Sequence, residues 1–586
     1  MIAHLRLKTW GVRFKLLSDR RSSHSSCQSI SARSLVRITK GTGSCPISYL
    51  KVMGGKMLKP LDVLKLYPPH DKTLWGLFES RASADQSRPL LRFGDRQHSW
   101  GSFADEVRRV DGLLRLRGVA KGDRVAIVAA NSDVHVVLLF ALARIGAAMV
   151  PLNPSFGHSE LKYILDHADV SGVLVSEAMA ETVSGAMAEA GLGAWLLQID
   201  GSADAARTYL ADTSAAGDSA RVGEDGDTCL IIYTSGTTGL PKGVMHSQST
   251  YVACAEVSAG RTGLQPDDRV LTILPFFHVN ALFYSIGSIF AAGASGTILP
   301  RFSASTFWDS VVESQATQVN IIEAVGNILQ KRPRSEFRRE HKLRVVYGVR
   351  QAFAQTFREE FGVAQLVTGF GMTECPGVIC NPQEGPAKPG SIGIPSTHPD
   401  TSRHWTEAKV VDDDGKDLPD GEVGELWLKT PTLMQGYFRD AEHTAAAFKD
   451  GWFTTGDLVR RDSDGYFYFV SRKKDIIRRR GENISGAELD RVIGEHPSVY
   501  EAAAIAVPAE LGEDEILAAV VRRQGAQVDA AEIAQWCRER LAPMKVPRFV
   551  VFVDELPHTP THKVAKAAMR ADASLRRLAT DLEMQS

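Results

Sequence analysis

Cysteine is scarce in this sequence. Its 586 residues include seven, Cys27, Cys45, Cys229, Cys254, Cys375, Cys380 and Cys537, with no CxxC spacing among them. A sparse, odd-numbered set excludes a disulfide framework and a structural zinc site, and it points to a reducing compartment. Net charge is missing too. Lys plus Arg total 68 against 69 for Asp plus Glu, a formal charge of −1, so overall charge predicts no nucleic-acid partner. No apolar run is long enough for a membrane span. The longest, Val134 to Val150, carries His135 and Arg144 and falls short of the ~20 residues needed, so it reads as a buried helix running into a strand. Solenoid repeats and low-complexity tracts are absent, and 50 Gly and 26 Pro exclude collagen-like sequence.

The near-zero charge averages over two unlike parts. Residues 1–59 hold twelve basic side chains and one acid, Asp19, leaving a body of net charge −12. An Arg- and Ser-rich, acid-poor start has the composition of a mitochondrial transit peptide. The alternative is upstream sequence read from an early start codon, with Met53 or Met57 as the true start. Residues 1–60 are therefore set aside from fold reasoning. The compartment expected is the cytoplasm, or the mitochondrial matrix if the extension is an address.

From Lys121 the texture alternates between apolar strands and periodic helices: Val125 to Ala129, the buried helix, Ala147 to Leu152, a helix with Leu161, Ile164, Leu165 and Ala168 on one face, then Gly172 to Val175. That order predicts an α/β fold with doubly wound, mostly parallel sheets. Beyond about residue 380, short β segments broken by Asp-Gly pairs at 414, 420, 450 and 464 predict a small antiparallel unit. After Val470 the charged stretch Ser471 to Asp475 leads into about 110 residues of mixed helix and strand signals. The domain expectation is a large unit over 61–472 and a small, mobile α+β C-terminal domain over 473–586.

The strongest local signal runs from Tyr233 to Val244, Tyr-Thr-Ser-Gly-Thr-Thr-Gly-Leu-Pro-Lys-Gly-Val, after a buried strand and ahead of a predicted helix. Small residues let backbone N–H groups converge on one anion, hydroxyls add donors, and Lys242 adds charge, which together make a phosphate cradle. The spacing differs from the GxxxxGK[ST] loop, because Pro241 stands where its second Gly would be. Glu374, after a Gly-rich turn, is a hard oxygen ligand suited to Mg²⁺. Asp457, in Thr455-Gly456-Asp457, follows a predicted strand and a Gly, so its carboxylate can accept from two hydroxyls, with Arg472 as a further donor. Lys563 lies in a segment broken by Pro557 and Pro560, from which a long cationic arm can reach a neighbouring cleft.

These motifs resemble, in order, those of the AMP-forming acyl-adenylate superfamily, with its acyl-CoA synthetases, luciferases and peptide-synthetase adenylation domains. The likeness spans about residues 70–570, and its 473–485 run is similar to the carnitine and bile-acid CoA ligase branches. It implies an acid–thiol ligase that uses ATP, Mg²⁺ and coenzyme A to make an acyl adenylate and then a thioester. A carrier-protein phosphopantetheine is the alternative acceptor. By resemblance, Thr234, Ser235, Gly236, Thr237, Thr238, Gly239 and Lys242 hold phosphates. Phe370, Gly371, Met372 and Thr373 meet the adenine end, Glu374 holds the metal, and Asp457 and Arg472 take the ribose. Lys474 is the hinge, Gly481 belongs to the loop used in thioester formation, and Lys563 stabilises charge during adenylation; Thr234, Lys242, Glu374 and Lys563 form the catalytic set.

Departures from the family pattern are His562 for Gly, Gly486 for Pro or Ala, Phe370 for Tyr, and Tyr347-Gly348-Val349-Arg350 in an adenine-pocket segment. Phe277 and His278 resemble residues bordering the acyl pocket, with Gly326 on the opposite wall. No acid lies between Arg269 and Asp309 to pair with a substrate ammonium, so an amino-acid substrate is disfavoured. Arg478 to Arg480 read either as a CoA phosphate contact or as a solvated face.

Overall fold

The computed structural model describes residues 57–199, 219–234, 240–349, 351–382, 387–479, 482–508, 514–558 and 564–583. The expectations for residues 1–56, Ser235 to Gly239, Arg480, Gly481 and Lys563 thus lie outside the described residues. Two seven-stranded sheets dominate. One runs Gly436–Tyr437, Lys242–Ser247, Thr228–Thr234, Ala148–Leu152, Arg124–Val128, Gly172–Ser176, Trp195–Ile199 across its width. Its last five strands are parallel and the first two antiparallel. The other sheet is parallel from Gln365–Val367 through Val345–Tyr347, Gln318–Asn320, Arg269–Thr272 and Ser295–Ile298 to Pro89–Phe93, closed by antiparallel Arg96–Ser99. This is the doubly wound arrangement that the alternating sequence predicts.

Helix Asp133–Ile145 explains the long apolar run. All thirteen of its residues are buried, and left-handed Gly146 (φ 81°) ends it before strand Ala148–Leu152. Its two charges are neutralised in place: Asp133 meets Arg96 and His98, and Arg144 meets Asp111 at 2.8 Å. A helix apolar all round is a core helix, here shared by the two sheets in one hydrophobic cluster.

The segment after the phosphate loop departs from the sequence reading. Strand β1 (Thr228–Thr234) turns back as strand β2 (Lys242–Ser247), so the loop is a hairpin tip and not a strand-to-helix turn. Four of its six residues, Gly243, Val244, His246 and Ser247, are buried with no period of two, so pairing with β1 is what makes the segment a strand. The helix follows one element later, as α1 (Gln248–Thr262), capped by Ser247 Oγ accepting from the Thr250 N–H.

Further along, helix α2 (Glu323–Lys331) follows strand Gln318–Asn320, with which strand β3 (Val345–Tyr347) pairs in the second sheet. The antiparallel unit contains Glu407–Val411, Val423–Lys429, Phe448–Lys449, β4 (Trp452–Arg461) and β5 (Phe467–Arg472). The glycines of its four Asp-Gly turns all sit at positive φ, between 75° and 96°. The C-terminal part carries a four-stranded mixed sheet, Val499–Pro508, Asp514–Arg522, Phe549–Phe552 and Thr580–Asp581, with helices Gly486–Gly494 and Ala530–Arg538. Among the described residues no helix is long and apolar enough to cross a membrane.

Candidate active site

The site gathers where the β1–β2 hairpin, the segment 369–377 and the edge strand Gly436–Tyr437 meet. Thr234 and Lys242 are register partners at the mouth of the hairpin, so both flank the phosphate loop from its base. Tyr163 Oη donates to the Pro241 carbonyl at 3.2 Å, and the Tyr233 hydroxyl lies 2.8 Å from His167 Nδ1, which fixes the hairpin against its neighbouring helix. The Lys242 ammonium stands 5.2 Å over the Tyr437 ring.

Tyr437 also donates to Glu374 Oε1 at 2.9 Å. Burial, and then the Glu374 charge, hold its phenol well above the ordinary value, so it stays a donor. Glu374 is 9% exposed, and its backbone carbonyl accepts from the Met434 N–H at 2.8 Å. On the other side His246 Nε2 donates to the Thr373 carbonyl at 2.8 Å. Burial alone, only partly offset by that bond, pulls the His246 imidazole down to about 4, which leaves a neutral ring of fixed tautomer. Thr373 and Glu374 are thereby pinned from two strands of the first sheet.

Phe370 pairs with Ile379 in a short antiparallel ladder that presents Gly371 and Met372 ahead of Glu374. Among the described residues no group of three or more His, Cys, Asp or Glu is arranged so that it could hold a metal ion by itself. One carboxylate, with a single hydrogen bond to one oxygen, matches the donor set of an Mg²⁺ ion that takes its remaining ligands from phosphate oxygens and water. The residues therefore fit that metal.

Asp457 is held by a break in register. Between Trp427↔Thr454 and Glu425↔Leu458, strand β4 carries extra residues, and Gly456 adopts φ 68°. The Asp457 N–H donates to Thr455 Oγ1, whose hydroxyl donates to the Leu426 carbonyl at 2.8 Å, and the Gly456 N–H donates to Glu425 Oε1 at 3.1 Å. Asp457, only 3% exposed, lies 3.4 Å from Arg472 Nε on β5, its register partner. Immediately after Arg472 the chain makes one 3₁₀ turn, Lys473–Asp475. Desolvation, then neighbouring Arg472, lower the Lys474 ammonium, while Arg570 binds the Asp475 carboxylate and the Lys474 carbonyl.

The acid-binding residues are placed less uniformly. Asn131 accepts from the Phe276 N–H at 2.8 Å and donates to the Leu274 carbonyl at 2.9 Å, which anchors the loop carrying Phe277 and His278. Their rings are half-buried with centroids 4.5 Å apart, and a π-helical turn, Asn280–Gly287, follows. Such turns recur at functional sites. Gly326 lies on the buried face of α2, where a Cβ would come within 2.4 Å of the Phe353 ring, so its smallness serves close packing. Arg479 is interior to the C-terminal part: it pairs with Glu515 at 2.6 Å and donates to the Met544 and Val546 carbonyls, whereas Arg478 is exposed. Sequence reasoning missed Tyr437, His246 and Glu425, none of which carries a motif of its own.

A Gly- and Thr-rich segment between paired strands, a carboxylate held by a phenol beside it and a buried Asp457–Arg472 pair, on a two-sheet α/β scaffold, accord with an adenylate-forming enzyme. Residues 78–438 match the family model described as AMP-binding enzyme, and 488–563 match the AMP-binding enzyme C-terminal domain; the chain belongs to this family. It is 31% identical over 500 residues to a crotonobetaine/carnitine–CoA ligase of Salmonella typhi, covering 81% of this chain and 93% of that one. It is 32% identical over 501 residues to an indoleacetate–CoA ligase of Aromatoleum aromaticum, covering 84% and 96%. ATP-bound MatB from Rhodopseudomonas palustris superposes with a TM-score of 0.75 at 28% identity, over 84% of this chain and 98% of that one. The chain is an AMP-forming acid–CoA ligase, dependent on ATP.

Proposed function

We propose that the enzyme activates a carboxylic acid other than an amino acid, with each residue in the role its position supports. A carboxylate is a poor acyl donor. Its oxygen attacks the α-phosphorus of ATP, the bond to the bridging oxygen breaks, and pyrophosphate leaves. The CoA thiol then attacks the acyl carbon of the adenylate and AMP departs. No side chain acts as nucleophile, so catalysis is positioning and charge stabilisation.

Thr234 and Lys242 steady the phosphates from the base of the hairpin, with Ser235 to Gly239 supplying loop donors. Glu374 would hold Mg²⁺, which neutralises phosphate charge when bound. Tyr437 keeps that carboxylate oriented. Asp457 accepts from the ribose hydroxyls, and Arg472 beside it donates to them. Lys563 supports the adenylation step, the C-terminal domain pivots at Lys474, and the Gly481 loop serves the second step. The boundary at 472/473 is the domain division, and the cytoplasm is the compartment, in keeping with the bacterial relatives and the buried, unpaired Cys229, Cys254, Cys375, Cys380 and Cys537.

The observation that carries this reading is the convergence of Lys242, Tyr437 and Glu374 at the mouth of the phosphate hairpin. The test is a screen of carboxylic acids with ATP, Mg²⁺ and CoA, reading AMP release and thioester mass. Acid-dependent AMP and an acyl-CoA product are expected. AMP release without any CoA thioester would reject CoA as acceptor.

A further inference from the structure

One buried charge near the acid pocket takes no part in the steps above. Arg261, near the C-terminal end of α1, is 6% exposed, and its Nε, Nη1 and Nη2 are all buried without a hydrogen-bond partner. Two aromatic faces cover it: Cζ lies 4.3 Å from the Tyr284 ring centroid and 4.4 Å from that of Tyr347. Both rings stand next to elements assigned above to the acid pocket. Tyr284 is in the π-helical turn that follows His278, and Tyr347 ends β3, whose carbonyl accepts from the Ile321 N–H just before α2.

The remaining side is glycine. A Cβ on Gly377 would lie 3.1 Å from Arg261 Nη1, one on Gly371 would lie 3.0 Å from Tyr284 Oη, and one on Gly369 would lie 2.7 Å from Tyr347 Oη. The guanidinium thus sits under the segment that carries Thr373 and Glu374, between both proposed walls of the acid pocket.

A guanidinium has five N–H donors and no acceptor, and it stays charged. Aromatic faces satisfy its planar surfaces but leave the N–H edge unserved. Buried polar groups are hydrogen-bonded in about nine cases of ten, and a lone buried charge is costly. The nearest acid on the same helix, Glu256, is engaged by His70, His398 and Arg403 at 3.2, 3.1 and 3.0 Å. The wall beside Tyr284 is polar as well: Asn320 donates to Ser285 Oγ at 3.0 Å, and Gln318 donates to Asn320 Oδ1 at 3.3 Å.

We propose that Arg261 is a specificity-determining residue that receives a second carboxylate of the acyl substrate, so that the enzyme prefers dicarboxylic acids. A carboxylate offers the bidentate acceptor edge that the guanidinium lacks, whereas a cationic acid would meet like charge. The inference rests on the acid–CoA ligase reading.

The test measures kcat/KM from AMP release for length-matched pairs of saturated mono- and α,ω-dicarboxylic acids of four to ten carbons, in the wild type, Arg261→Met and Arg261→Lys. A site built to bond a polar group rejects the analogue lacking it strongly, so a dicarboxylic acid is expected to exceed its partner by at least ~100-fold. That ratio should collapse in Arg261→Met, mainly through KM, and recover in part in Arg261→Lys. A wild type that prefers monocarboxylic acids overturns the proposal without any variant, as does an unchanged ratio in Arg261→Met. Failure of every acid to release AMP would reject the ligase reading itself.

Discussion

The Tyr437 hydroxyl donates to Glu374 Oε1 at 2.9 Å, although 63 residues separate them in the sequence. The contact exists because Gly436–Tyr437 adds itself to the edge of the first sheet, paired with Met245 and Val244 of β2. One phenol thereby joins two of the proposed site residues, with Lys242 over its ring and the Glu374 carboxylate at its oxygen.

Tyr437→Phe should weaken the metal site and spare the fold. The ring under Lys242 is kept and only the bond to Glu374 is lost. Groups that orient a metal ligand typically contribute 10–100-fold in affinity or activity. The expected result is an approximately tenfold rise in the Mg²⁺ concentration needed for half-maximal AMP release, with little change in melting temperature. A Mg²⁺ titration that superposes on the wild type would reject the orienting role.

Stability should fall as the solution is acidified below about pH 6.5. His246 is held down to about 4 by burial, despite its bond to Thr373, and His135 to about 3, again by burial first. Both have folded pKa values below the unfolded one. Between about pH 6.5 and 4 the unfolded chain therefore binds protons that the native chain refuses, and stability is lost as pH drops through that window. Each group contributes about 1.4 kcal/mol per pH unit there. Urea midpoints from pH 8 to 5 measure the slope. His246→Gln, which keeps a donor for the Thr373 carbonyl, should flatten it.

Gly326 tests packing against pocket lining. A methyl group there meets the Phe353 ring at 2.4 Å, so Gly326→Ala should lower stability by about 1–3 kcal/mol, as overpacked cores do. Phe353→Leu in the same chain should restore much of the loss. If the double variant stays as unstable as the single one while acid selectivity shifts, the pocket role is the correct one.

The α/β alternation, the antiparallel unit and its Asp-Gly turns were legible because each is a local pattern: burial period, turn chemistry, strand length. The hairpin after the phosphate loop was not. Lys242 to Ser247 contains Gly, Lys and His, and only pairing with Thr228–Thr234 makes it a strand. Glu374, Asp457 and Arg472 stand in recognisable motifs, and the last two are register partners. Tyr437, His246 and Arg261 are single residues whose meaning comes from neighbours brought together by sheet order. Burial is what separates them from ordinary surface residues, and that depends on the tertiary fold.

The role proposed for Lys563 predicts that the two half-reactions respond differently to its loss. Asp457 and Arg472 stand at one end of the 3₁₀ turn Lys473–Asp475, and Arg570, seven residues after Lys563, grips the other. A cation delivered by a domain that pivots there can serve adenylation and then withdraw. Lys563→Ala should lower acid-dependent ATP–pyrophosphate exchange by about 10²–10³, the usual effect of deleting one electrostatic stabiliser. Preformed acyl adenylate should still be converted to the CoA thioester at close to the wild-type rate. Measuring both steps on one preparation controls for folding. Equal loss of the two would mean that a single arrangement of the domains performs both, and the pivot at Lys474 would then have no part in the reaction.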